Sequence, residues 1–262
     1  MKKILISVVI VLIGLLTIGA SAYGYFYFTT PEHIRHPEVE HYHFRTQIIV
    51  DSTPVDFSKD KFQTETGTTC SADPGSTPID FHDQMDQMTH VHWNGMTGGE
   101  FLKYYGWDLT DRNSDNLGQR YDDNYMPMGP VMRYGDVLPA IPDGANFYVY
   151  TGDASGYKKR SWNDFLHQNI ENFFGKKSNL KQAVNTTSGP LDWLFPTAYA
   201  HGGVTDGHEG TESSGKTEEE LTRINNLIGN VVIFVQKTEP TANEIKARFD
   251  NLVPLSDSVC GG

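Results

Sequence analysis

Residues 4–28 of this chain carry no charged side chain, while Lys2 and Lys3 precede the run and the chain turns polar and acidic after Thr30. About 20 apolar residues suffice for a helix to cross a bilayer core, and lysines on one flank hold that end in the cytoplasm. The pattern predicts a membrane helix over residues 1–30 and a translocated, extracytoplasmic domain over 31–262. Ala20, Ser21 and Ala22 also fit a small-x-small cleavage site, so secretion after signal cleavage is the alternative. The length of the run and the interfacial aromatics Tyr23, Tyr25, Phe26, Tyr27 and Phe28 favour a retained anchor.

Beyond a polar neck at 31–37 the periodicity becomes two. Tyr42, Phe44, Ile48 and Val50 alternate with His41, His43, Arg45 and Gln47, which predicts a half-buried strand over 41–50. Asp51 to Pro54 supply turn residues, with Val55, Asp56 and Phe57 as a returning partner. A second strand over 89–93 places Val91 and Trp93 opposite His90 and His92. Thr97 and Glu100 have capping-box spacing and open a short helix through Phe101, Leu102, Tyr104 and Tyr105 that stops at Gly106. Residues 146–150 read as a strand. Ser161 caps one helix through Trp162, Phe165, Leu166, Ile170, Phe173 and Phe174, ending at Gly175. Thr217 and Glu220 cap another through Leu221, Ile224, Leu227 and Ile228, followed by a buried strand at 231–235 and a last helix over 241–251. The sum is an α+β domain with a mostly antiparallel sheet and several short helices. Its histidine-rich part covers about 38–110, and the remainder, 111–262, includes a loose loop over 185–216.

Composition narrows the partners. A formal charge of −12 opposes binding to nucleic acid, which needs a basic footprint. The membrane contact is therefore assigned to the N-terminal helix alone, and a protein partner is left open. Cys70 and Cys260 are an even pair in an oxidising compartment, so they either form one disulfide or remain two thiols.

Seven of the ten histidines lie between His33 and His92. Alternate residues of a strand share a face, so pairing of the two strands would bring His41, His43, His90 and His92 together. His82 and Asp83, at an expected turn, would add a further ligand and a supporting carboxylate. Imidazoles in this number suit a transition metal ion, zinc or copper. The plainer alternative is a row of solvated histidines on the outer face of a sheet.

The segments His41-Tyr42-His43-Phe44, Ile48-Ile49-Val50-Asp51, Pro78-Ile79-Asp80-Phe81-His82-Asp83, Thr89-His90-Val91-His92 and Gly98-Gly99-Glu100-Phe101-Leu102 resemble a group of secreted or membrane-anchored prokaryotic proteins. That group carries an H-x-H strand, a turn like P-L-H-T-H-D, a strand like G-V-I-H-V-E and a short helix. The resemblance covers residues 40–107 and implies a histidine-centred site without implying a reaction. His41, His43, His82, Asp83 and His90 fall on the group's positions. Asp80 stands in place of the first turn histidine and His92 in place of the glutamate.

Other motifs carry less. Residues 210–217 satisfy G-x-x-x-x-G-K-[ST], but no apolar strand leads into them and Glu209, Glu212 and Glu218 to Glu220 would repel a polyphosphate; no nucleotide is expected. Ser155 to Lys158 match S-x-x-K without its companion motifs. Asp111, Asn113, Asp115 and Asp122 have the spacing of a calcium loop, yet Asn116 replaces its glycine and Asp122 its bidentate glutamate, so a solvated loop is preferred to calcium. Met85, Met88, Met96, Met126, Met128 and Met132 cluster in one stretch. Thioethers select Cu(I), although packing is their commoner use.

The expectation is an anchored extracytoplasmic protein that captures, transfers or senses a metal. Two other classes stay open: an enzyme whose metal activates water or oxygen, with Asp83 or Asp80 as base, and an envelope interaction module with incidental histidines.

Overall fold

The computed structural model describes residues 2–35, 38–64, 77–82, 84–107, 135, 137–176 and 215–255. Helix α1 (Lys2–Thr29) has 28 residues and so spans about 42 Å. Its segment Ile6–Tyr25 is long and apolar enough to cross a membrane, as either an anchor or a signal sequence would be. Ile10, Leu16 and Ile18 remain exposed rather than joining the core.

The neck is not an open tether. One helical turn, α2 (Glu32–Arg35), follows Pro31, whose carbonyl accepts hydrogen bonds from the Ile34 and Arg35 amides. Ile34 is buried in the main core, the Arg35 guanidinium lies 4.5 Å from the Tyr27 ring centroid, and His33 Nε2 sits 2.8 Å from the buried Glu100 carboxylate.

Among the described residues seven strands form one sheet: β1 (Val39–Val50), β2 (Thr53–Pro54), β3 (Ile79–Asp80), β4 (Met88–Trp93), β5 (Asn146–Asp153), β6 (Gly156–Arg160) and β7 (Leu227–Gln236). The order is β3-β4-β1-β7-β5-β6, with β2 folded back on the end of β1. Every pairing is antiparallel except β1 with β7, so the mixed α+β class with a largely antiparallel sheet holds. Asp51 and Ser52, at φ 44 and 67, make the tight turn into β2. The return strand therefore begins at Thr53 rather than Val55. Strand β6 escapes a hydrophobic-pattern reading because it is Gly156-Tyr157-Lys158-Lys159-Arg160, the charged edge that discourages further strand pairing.

Strand β1 is central and buried on both faces, where its alternation predicted only one. On the first face Tyr42, Phe44, Ile48 and Val50 pack with Val91, Trp93, Val149, Ile233 and Val235, in one cluster with Phe101, Leu102, Phe165 and Phe173 from helices α3 (Gly98–Tyr104), α4 (Trp162–His167) and α5 (Ile170–Phe174). A side chain at Gly98 would collide with Phe165, its Cβ falling 2.5 Å from the ring and from the backbone oxygen, so the absence of a side chain sets how closely α3 and α4 approach. On the second face Ile49, Val232, Phe234 and Tyr150 pack against Ile245 and Phe249 of α7 (Ala242–Asp250). The other end of that face holds the histidines and a small apolar patch of Met88, Leu221, Leu227 and Leu255 beneath α6 (Glu218–Ile224).

Local chemistry explains where two predicted helices differ. The one expected from Trp162 to Phe174 is broken at Gln168 and Asn169. The Asn169 side chain caps α5 by accepting from the Asn172 amide, while its backbone bridges Thr97 and the Ile170 amide donates to the Met96 carbonyl at 2.8 Å. Long-range hydrogen bonds within the chain thus replace helical ones. Helix α6 ends at Ile224, and Leu227 and Ile228 begin β7 instead of continuing it, because Asn226 turns the chain at φ 46, a conformation asparagine tolerates. The boxes Thr97/Glu100 and Thr217/Glu220 both form as the spacing predicts.

Cys70, Cys260, Asp83, Met126, Met128, Met132, the calcium-like set Asp111, Asn113, Asp115 and Asp122, and residues 185–214 of the loose loop lie outside the described residues.

Candidate metal centre

Register decides which histidines meet. Strands β1 and β4 pair with His43 opposite His90 and Tyr42 opposite Val91, after which the register shifts before Val39 pairs with Trp93. Three steps on β1 match two on β4, so Glu40 and His41 share the space opposite His92, a bulge of the kind that re-aims side chains. A second shift, between His43 and Arg45, occurs where β1 pairs with β7. Asn225 and Asn226 fix the His-x-His segment there: the His43 amide donates to the Asn226 carbonyl at 3.2 Å, and Asn226 Nδ2 donates to the His41 carbonyl at 2.8 Å. On the far side of β4, Asp80 pairs with His90. His82, two residues on from Asp80, brings its ring to within 3.6 Å of His90, centroid to centroid.

The outcome is a buried imidazole cluster. His43, His82, His90 and His92 are buried along with Asp80, and His41 is partly exposed. The ring centroids of His41 lie 4.7 Å from those of His43 and 5.4 Å from those of His92. Burial on this scale removes the alternative of solvated histidines on an outer face.

The hydrogen bonds assign roles within the cluster. The Asn225 carbonyl can only accept, so His43 Nδ1 is its donor. A neutral His43 then presents a lone pair at Nε2, and this atom lies 2.7 Å from His90 Nδ1, which must therefore carry the proton. His90 Nε2 is left with its lone pair free, buried and without a hydrogen-bond partner among the described residues. Neutrality is secure because burial pushes the His43 imidazole down to about 3, only partly offset by its bond to Asn225. Burial likewise holds His90 well below the ordinary imidazole value, and the neighbouring His82, His43, His41 and His92 add to the effect.

Asp80 supplies the negative charge. Its Oδ2 accepts from Thr64 Oγ1 at 2.9 Å. Its Oδ1 makes no hydrogen bond among the described residues and lies 3.9 Å from His92 Nε2. A buried carboxylate oxygen and a buried imidazole lone pair both incur a desolvation cost unless something electropositive meets them. The donor set also fits a cation: ligand atoms of His41, His90 and His92 lie within 4.8 Å of one another, as do those of Asp80, His82 and His92.

Of the residues singled out from sequence, His41, His82, His90 and His92 are brought together. His43 is adjacent, but both its nitrogens are engaged, Nδ1 with the Asn225 carbonyl and Nε2 with His90 Nδ1, which makes it a supporting group rather than a ligand. Asp80, which departs from the resembled pattern, stands in the ligand cluster. Its signal was the alternation Asp80, His82, obscured because the two-residue strand β3 looked like a turn. Asn225 has no comparable sequence signal. Met96 packs in the main core on the opposite face and Met88 against Leu221 and Leu227, with Met85 against the same patch, so these methionines serve packing as described. Comparison with protein-family models, with curated proteins and with solved structures gives no match for this chain.

Proposed function

We propose that this chain binds one first-row transition metal ion, zinc or copper(II), at the Asp80, His41, His82, His90 and His92 cluster, and that it does so on a membrane-tethered domain facing away from the cytoplasm. The observation that carries the reading is the pair of uncompensated buried atoms, His90 Nε2 and Asp80 Oδ1; burial holds the His90 imidazole neutral, so it can coordinate without first losing a proton. The resemblance noted in the sequence adds to it. The two positions at which this chain departs from that group's pattern are Asp80 and His92, and they are spatial neighbours. An acid and an imidazole have exchanged strands while the same pair of ligands is retained. Helix α1 with Lys2 and Lys3 before it supports an anchored, outward-facing arrangement, and metal capture or transfer is the task that suits such a place.

The test is a titration of the metal-free full chain in detergent with Zn(II) and with Cu(II). One tight ion per chain is expected, lost in His90→Ala with His92→Ala and kept in the surface variant His167→Ala. Absence of any tight ion in the folded wild-type chain overturns the reading.

A further inference from the structure

The ligand atoms fall into two triads that share one residue: His41, His90 and His92 on one side, Asp80, His82 and His92 on the other. The triads differ in two respects. The first contains the partly exposed His41, whereas every member of the second is buried. The first is made of imidazoles alone and the second contains the carboxylate.

Charge decides between two ions held together and one ion with two positions. Two divalent ions would place four positive charges in a buried cluster beside one described ligand carboxylate, Asp80, and uncompensated buried charge is expensive. One divalent ion leaves a single net charge and meets Asp80 Oδ1, the oxygen that makes no hydrogen bond. The shared residue is suitably placed. His92 Nε2 is turned toward Asp80 at 3.9 Å, while its ring centroid is 5.4 Å from that of His41, so His92 can keep hold of an ion as the remaining ligands exchange. His41 spans the boundary, since part of the residue reaches solvent while its Nε2 is itself buried. The β1 bulge opposite His92 is what turns it there.

The geometry points to a two-station path for a single divalent transition metal ion, received at His41, His90 and His92 and passed about His92 to a buried resting station at Asp80, His82 and His92. This rests on the metal-binding reading above and deepens it: His41 governs how fast the ion enters and leaves, and Asp80 with His82 governs how tightly it stays. A lower-charge outer triad and a carboxylate-bearing inner one set the direction of movement, because a cation gains most where the anionic ligand is.

The experiment follows Co(II) and Zn(II) binding to the full chain in detergent by stopped-flow absorption and by equilibrium competition with a chelator, with metal content measured in parallel. Wild type should bind one ion. His41→Ala should slow association and dissociation by about tenfold or more and lower the equilibrium affinity much less than Asp80→Asn, which should weaken it by about 100-fold or more and speed release. The Co(II) spectrum of Asp80→Asn with His82→Ala should shift to that of an all-imidazole ligand set. His41→Gln, which keeps bulk at the site, replaces the alanine variant if that one does not fold. Equal losses of affinity in the His41 and Asp80 variants would overturn the path in favour of one five-ligand site, and two ions per wild-type chain would overturn it in favour of a two-ion centre. In both cases the metal-binding reading survives, while no ion at all in wild type removes both.

Discussion

His90 Nδ1 donates to His43 Nε2 across 2.7 Å between paired strands, and His43 in turn donates to the Asn225 carbonyl. This two-step chain fixes which nitrogen of His90 can bind an ion, so His43 controls the cluster without belonging to the ligand set.

Replacing His43 with phenylalanine keeps an aromatic ring in the space but removes the acceptor for His90. Supporting partners of this kind are worth about 10- to 100-fold in metal affinity. Because His90 belongs to the entry triad, His43→Phe should slow Zn(II) uptake by up to that factor at unchanged stoichiometry, whereas His90→Ala with His92→Ala, which also removes the shared ligand, should abolish tight binding; stopped-flow uptake and isothermal titration separate these outcomes.

The metal-free protein should be acid-sensitive in a defined window. His43 takes up its proton near 6.5 when unfolded and only at about 3 when folded, and His90 is shifted the same way. Between those values the unfolded chain holds more protons, so stability is complete above pH 6.5 and falls as the pH drops through that value toward 3. The slope is at most about 1.4 kcal/mol per pH unit for each histidine. Urea unfolding of the metal-free chain at pH 7.5, 6 and 5 measures it, and His43→Phe should flatten the dependence.

Glu100 serves two elements at once. Its Oε2 accepts from the Thr97 amide at 2.9 Å within the α3 capping box, and its carboxylate holds His33 of α2. Glu100→Gln retains an acceptor for the cap but loses the charge, and should raise hydrogen exchange in residues 32–35 with little change in global stability. Glu100→Ala removes both contacts and should cost about 1–2 kcal/mol, in the range of cap losses.

Gly98→Ala puts a methyl group where Phe165 already lies. Overpacking of this kind costs about 1–3 kcal/mol, and a denaturant midpoint lowered to match, with the metal site still loadable, is expected.

Much of the framework was legible from local chemistry. The uncharged run at 4–28, the period-two alternation from His41 to Val50, and the boxes opened by Thr97 and Thr217 each act over a few residues, so the apolar helix, the first strand and two helix starts could be placed without a fold. The pairing of His41 and His43 with His90 and His92 could also be anticipated, since shared strand faces follow from periodicity. What needed the tertiary structure was everything set by neighbours distant in sequence. The burial of the histidine face depends on α6 and the Asn225–Asn226 turn, about 180 residues beyond His43. The break at Asn169 depends on a bridge to Thr97. The roles of His43 as support and Asp80 as candidate ligand depend on two register shifts and a two-residue strand. Residue types set which groups were able to bind a metal, whereas long-range packing chose which lone pairs stayed free, because a buried polar atom is defined by what surrounds it and not by its place in the chain.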